Sequence, residues 1–369
     1  MTSMSGTEPG TEPDMEPGTM RAVVYDAYEQ LPTVREVPAP RAPDGGVVLD
    51  VAATGVCRSD WPAWMGHDPV ALPHVPGHEL VGTIGAVGAG VRNWRVGDRV
   101  TTPFVCGCGV CETCRAGDPQ VCPDQTQPGF TGWGSFAQQV AVRAADANLV
   151  AVPATIGDVE AAALGCRFAT AYRAVTGHGG LRAGQWLAVY GAGGVGLSAL
   201  LIGLALGARV VVVDVAEPAL ELAARLGATG VVRSAPGEPA EEIAQRVREA
   251  SDGGAHVGVE AIGRPEAAVA SLLCLRRRGR HVQAGLLLGR DATPPFPMDR
   301  VVAHELSIHG THGLAAADYP AMLDLVAARI DLSALVGRVI SLQDAPAALA
   351  AMGRPATGSG MTVVRLSNG

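Results

Sequence analysis

The sequence predicts an α/β protein in two parts: a mostly antiparallel β domain, then a doubly wound parallel sheet. Three observations predict it. Up to about residue 150, short β-branched runs such as VVLDVAATGV and LVGTIGAVGAGV alternate with Gly and Pro punctuation, the texture of an antiparallel sheet with long loops. From about 185, QWLAVYGAGGVGLSALLIGLALGARVVVVDVAEPALELAARLGA reads strand, tight glycine turn, helix, strand, helix. Later strand-like runs, HVGVEAIG and HVQAGLLLG, alternate with helical stretches such as PEAAVASLLCLRRR, which implies parallel pairing.

In chain order, residues 1–19 repeat Thr-Glu-Pro without apolar periodicity and read as a disordered tail, so Met20 opens the first structured segment. The first domain then spans 20–167 and the second 168–308. Residues 309–369 return to mixed character, and MTVVRL near the end reads as a strand that pairs back into the first domain. The basic run RRRGR at 276–280 reads as the positively charged close of a helix before a glycine stop.

The chain has 369 residues, is 48% hydrophobic and carries a net charge of −8. That balance suits a globular protein and offers no basic footprint for nucleic acid. No apolar run reaches the roughly eighteen residues of a membrane span, and no secretory signal is evident. The expected location is therefore the cytoplasm, a reducing compartment where structural disulfides are rare. All 28 basic residues are arginine, which excludes Schiff-base lysines, lysine general bases and lysine P-loops.

GAGGVG at 191–196 matches G-x-G-x-x-G, and its context between a strand and a helix gives the match weight. GAVGAG at 85–90 has a similar composition but lies between two strand patterns, where glycines make a turn. In the first motif Gly191 permits the tight turn, Gly193 admits the backbone to a pyrophosphate, and Gly196 allows close helix–strand packing; Gly194 and Val195 open the helix. Asp214 closes the next strand and suits the ribose hydroxyls of NAD, with no arginine in the following residues to accept the 2′-phosphate of NADP.

Cys108, Cys111, Cys114 and Cys122 form C-x2-C-x2-C-x7-C. Four thiolates on such turns close a tetrahedron around one zinc ion with no open position, a structural site. Disulfides at these spacings would be strained.

GVCRSD, PGHEL, the four-cysteine lobe, LGCRFATAYRAV, VYGAGGVG and Asp214 occur in the order seen in zinc-dependent medium-chain alcohol dehydrogenases, and the resemblance covers nearly all of residues 20–369. It implies a GroES-like catalytic domain and a Rossmann cofactor domain. It also implies a catalytic zinc on Cys57, His78 and Cys166, with Glu79 behind the metal as a transient ligand. Cys166, where polyol dehydrogenases typically have glutamate, favours the alcohol dehydrogenases. Asp60 then orients His78, Arg58 grips the pyrophosphate, Ser59 takes the alcohol proton, and Ile262 and Ala284 join the cofactor site. Cys106 is the spare cysteine of the lobe, packed like Cys274. The expected substrate pocket is lined by Trp61, Phe104, Trp133 and Phe168, which suits a medium-chain or aromatic alcohol.

Three departures from the family stand out. Pro62 occupies the position of a proton-relay histidine, so protons are expected to leave from the ribose directly to water. EPAL at 217–220 lacks a lysine for the adenosine ribose. Only thirteen residues separate Cys122 from Phe136, and the resemblance to shorter members implies a homotetramer, with a homodimer as the alternative. The alternatives on this fold are a biosynthetic reductase of C=C or C=N bonds, a thiol-adduct formaldehyde dehydrogenase, and a non-catalytic NAD-binding protein.

Overall fold

A computed structural model of the chain describes residues 18–353 and 360–366. The expected N-terminal tail lies, but for its last two residues, outside them.

Strands β1 (Thr19–Val24) and β2 (Thr33–Pro38) form a separate antiparallel ribbon. The main sheet of the first domain is built on β3 (Val47–Val56), β4 (Glu79–Val87), β5 (Arg99–Thr101), β6 (Gln139–Val142) and β7 (Val150–Ala151). The long β3–β4 antiparallel pair is its axis, and Gly55 faces Glu79 at the end where the ligand candidates lie. GAVGAG is partly strand: Gly85 to Val87 finish β4 and the turn follows.

The second domain carries β8 (Trp186–Tyr190), β9 (Arg209–Asp214), β10 (Gly230–Arg233), β11 (Ala255–Glu260), β12 (Leu275–Gln283) and β13 (Ser307–Gly310). All are parallel, in the order β10-β9-β8-β11-β12-β13. That is the doubly wound order, and it places the switch point beside the C-terminal ends of β8 and β11, where such sheets bind ligands. Val210 to Val213 are all buried, as a strand covered on both faces requires.

β14 (Val336–Ile340) and β15 (Met361–Arg365) return to the first sheet, β15 pairing antiparallel with β3. MTVVRL thus pairs back as its pattern suggests. The Arg-rich run departs from expectation. The preceding helix ends at Leu273, and Arg276–Arg280 lie within β12, where a bulge puts Arg278 at φ 61°. Pairing of Leu275 with Ala255 captures the chain as strand before those charges could close a helix. Among the described residues no helix is long and apolar enough to cross a membrane.

Candidate active site

The end of β3, the start of β4 and a π-helical turn at Leu164–Phe168 meet at one point. Each brings one ligand candidate: Cys57 follows β3, His78 precedes β4, and Cys166 sits mid-turn. Their sulfur and nitrogen atoms all lie within 4.8 Å of one another and all three residues are buried. Asp60 fixes the imidazole, accepting from Nδ1 at 2.9 Å, from the Gly77 amide at 3.1 Å and from the Cys57 amide at 3.3 Å. With Nδ1 donating, Nε2 presents a lone pair toward the thiols, and it is a buried nitrogen with no hydrogen-bond partner. A buried acceptor left bare costs about 1–3 kcal/mol unless something occupies it. A hydrogen bond from Cys166 holds the Cys57 thiol well below its ordinary pKa despite burial, and Cys166 is raised, so the two share a proton. Two thiols, one imidazole lone pair and a carboxylate behind the imidazole are the donor set of an open zinc site, and the residues fit that metal.

Glu79 does not join this cluster. Its Oε1 accepts from the Arg167 backbone amide and from Arg167 Nε, both at 2.9 Å, and Oε2 accepts from Arg167 Nη2. Both oxygens are held by Arg167 in this conformation. Ser59 precedes the short helix Asp60–Trp64 without capping it, and its Oγ is 3.8 Å from Cys57 Sγ. Arg58 is exposed, with its guanidinium 5.3 Å from the Trp61 ring centre.

The four lobe cysteines also converge within 4.8 Å, and every cysteine of the chain is a free thiol. Backbone amides point at the sulfurs: Cys111 donates to Cys108 and Cys114 to Cys111, each at 3.4 Å. Such bonds, from Val110 first, lower the Cys108 thiol to about 7. Burial raises Cys114 and Cys122, so Cys108 is the readiest thiolate, and four converging sulfurs fit zinc. Cys106 and Cys274 stay outside both clusters and are buried.

At the C-terminal end of β8, Gly191 has φ 97°, and a Cβ on Gly196 would overlap the Gly191 carbonyl oxygen. A Cβ on Gly193 would meet nothing within 4 Å, so protein packing does not demand that glycine. The helix Gly194–Ala205 begins there with no acidic residue in its first turn, leaving its positive end free for an anion. Asp214 steadies the loop, accepting from Ala192 N at 2.7 Å and Ala216 N at 2.9 Å. Ile262 covers Gly191, and a Cβ there would meet Ile262 Cγ1 at 2.7 Å. The buried Glu260 accepts from the Ile262 and Gly263 amides, and its own carbonyl accepts from Ala284 at 2.8 Å. These residues form a cradle for a dinucleotide.

The aromatic pocket changes membership. Phe104 stands edge-on to His78 at 6.0 Å and to His312 at 5.0 Å, and Phe130 lies 5.0 Å from His78. Trp61 is partly buried and packs against the Tyr25, Trp64 and Leu349 cluster. Phe168 is 0% exposed within the apolar core, so it has no surface to offer a substrate. Trp133 packs against the β1–β2 ribbon and donates to the Pro73 carbonyl at 3.0 Å. The sequence assigns no role to Arg167, Glu260, Phe130 or His312; Arg167 and Glu260 stand in the runs LGCRFATAYRAV and HVGVEAIG, whose residue types do not show what these two side chains meet.

Residues 43–154 match the alcohol dehydrogenase GroES-like domain, and residues 194–328 match the zinc-binding dehydrogenase family. An alcohol dehydrogenase of Geobacillus stearothermophilus is 33% identical over 84% of this chain and 88% of its own length. The structure of an alcohol dehydrogenase from Thermus sp. ATN1 superposes with a TM-score of 0.85 at 30% identity, over 94% of this chain and 100% of that one. An NAD-dependent alcohol dehydrogenase superposes at 0.83 with 28% identity, over 94% and 100%. With its two sheets, its two cysteine-containing clusters and these likenesses, the chain belongs to the zinc-dependent medium-chain alcohol dehydrogenase family and is an oxidoreductase.

Proposed function

We infer that the protein is an NAD-dependent zinc alcohol dehydrogenase, interconverting a medium-chain or aromatic alcohol with its aldehyde or ketone. The observation that carries this reading is the partnerless His78 Nε2, buried between two thiols and within reach of both. Cys57, His78 and Cys166 would hold a catalytic zinc, and the four lobe cysteines a structural one. When bound, the catalytic zinc would supply a Lewis acid for an alcohol or carbonyl oxygen, and the nicotinamide a hydride acceptor.

The chain's own residues do the rest. Asp60 sets the tautomer and direction of His78. Ser59, beside Cys57, is the hydroxyl placed to hold the proton of the reacting alcohol. Pro62 carries no proton, so this chain offers no histidine relay at that position. Phe104 and Phe130 give the site apolar walls, which favours a substrate larger than ethanol. Asp214 favours NAD by repelling a 2′-phosphate. A homotetramer in the cytoplasm is the state expected by analogy.

The test is NADH formation by zinc-loaded protein over ethanol, hexanol, benzyl alcohol and sorbitol, with NAD set against NADP. Faster NAD-linked turnover of hexanol or benzyl alcohol is expected. No turnover of any of the four, with two zinc ions bound per chain, would sink alcohol oxidation as the activity.

A further inference from the structure

We propose that Arg167 is an anion donor of the cofactor site, and that through it the cofactor's diphosphate is tied to Glu79 behind the metal ligands. This rests on the dinucleotide reading above.

Arg167 follows Cys166 in the chain and is only 7% exposed. Its backbone amide, Nε and Nη2 all go to Glu79. Two glycines from different domains leave room for the Arg167–Glu79 pair, Gly55 for both side chains and Gly194 for Arg167. A Cβ on Gly55, in β3, would lie 2.7 Å from Nη2. A Cβ on Gly194, first residue of the helix after the glycine loop, would overlap the Arg167 δ-carbon and lie 3.3 Å from Nε and Nη1. The guanidinium therefore bridges the metal cluster and the loop.

Nη1, over Gly194, has no hydrogen-bond partner among the described residues. It also faces the positive end of a twelve-residue helix that has no acidic first turn and no side-chain cap. A cation at a helix N-terminus is disfavoured, and here the Glu79 carboxylate, with the Cys57 thiol nearby, offsets the positive charges. An anion over the loop would take Nη1 as a donor and complete the balance.

One guanidinium shared by Glu79 and a diphosphate makes the two ends thermodynamically linked. Whatever binds at the loop alters the hold on Glu79, and the reverse follows by reciprocity. Arg167 is thus a positioning residue for Glu79 and a direct ligand for the cofactor.

The test uses zinc-loaded protein and ADP-ribose, which carries the diphosphate without the nicotinamide; adenosine is the phosphate-free probe. Calorimetry should show Arg167→Gln weakening ADP-ribose by about 10- to 100-fold, with adenosine unchanged within twofold and Arg167→Lys between the two. Removing one member of a buried pair endangers folding. The double variant Arg167→Gln with Glu79→Gln removes both charges and should show the same selective loss. In cobalt-substituted protein, saturation with ADP-ribose should shift the visible spectrum of the wild type and not that of the double variant. Unchanged ADP-ribose affinity, an equal loss for adenosine, or an unmoved wild-type spectrum would each overturn the proposal. Failure of the wild type to bind ADP-ribose or NAD at all would remove the dinucleotide reading, and the proposal with it.

Discussion

Asp60→Asn should detach the metal from the Cys57 cluster while leaving the lobe intact. Asp60 is 1% exposed and accepts three hydrogen bonds, two at Oδ1 and one at Oδ2. A carboxylate can accept all three, but an amide cannot. With its oxygen toward His78 and Gly77, the amide nitrogen faces the Cys57 N–H at 3.3 Å, donor against donor. Flipped, it confronts the other two. Either way a buried donor is stranded, at about 1–3 kcal/mol, and the negative charge behind His78 is gone. Loss of such a group typically costs 10- to 100-fold in metal affinity, or about 1.4–2.7 kcal/mol. The assay is zinc competition against a chromophoric chelator, read as two classes of site. The weaker class should move by that factor and the four-cysteine class should not. Wild-type affinity at both sites would show that Asp60 does not orient His78, and the argument from the partnerless Nε2 would lose its foundation.

Gly196→Ala should abolish NADH binding and cost roughly 1–3 kcal/mol or more of stability, because the new methyl overlaps the Gly191 carbonyl; an unchanged urea midpoint and NADH titration would refute the packing role. Phe104→Ala should shift the preference for benzyl alcohol over ethanol by about 10-fold or more, whereas Trp133→Phe should leave it within twofold. Equal shifts in kcat/KM for the two variants would restore Trp133 to the pocket. Glu260 gives a pH prediction. Burial, opposed by the Ile262 and Gly263 amides and by Gln283, raises its carboxyl from 4.5 to about 7. A raised folded-state value means a contribution fully present below pH 4.5 and lost as pH climbs through 7, about 3 kcal/mol in all. Denaturation of wild type and Glu260→Gln between pH 4 and 8 should therefore diverge in the variant's favour toward pH 8; parallel profiles would count against it.

What could be read from the chain divides by sequence distance. The lobe and the glycine loop were legible because each is written in one short stretch, where spacing alone constrains geometry. The Cys57, His78 and Cys166 cluster has no such local grammar, and only the family resemblance gathered it. Proximity in sequence misled for Trp133 and Phe168. The π-helical turn sends Cys166 toward Cys57 and Phe168 into the core two positions later, a divergence no pattern of residue types announces. The Arg-rich run misled for the opposite reason, since its local signal favoured a helix end and strand pairing overrode it.

Arg167 is the extreme case, and it shows why. Its partner Glu79 lies 88 residues away, and the glycines that make room for it stand in separate domains. In the sequence Gly194 reads as the glycine that opens the motif's helix, and neither Gly55 nor Arg167 stands out. Each choice runs against local preference, since glycine weakens strands and a buried arginine needs a counter-charge. Only the assembled site explains all three together. Residues that violate local rules at several distant positions, and whose violations cancel at one point in space, mark that point as built for a ligand.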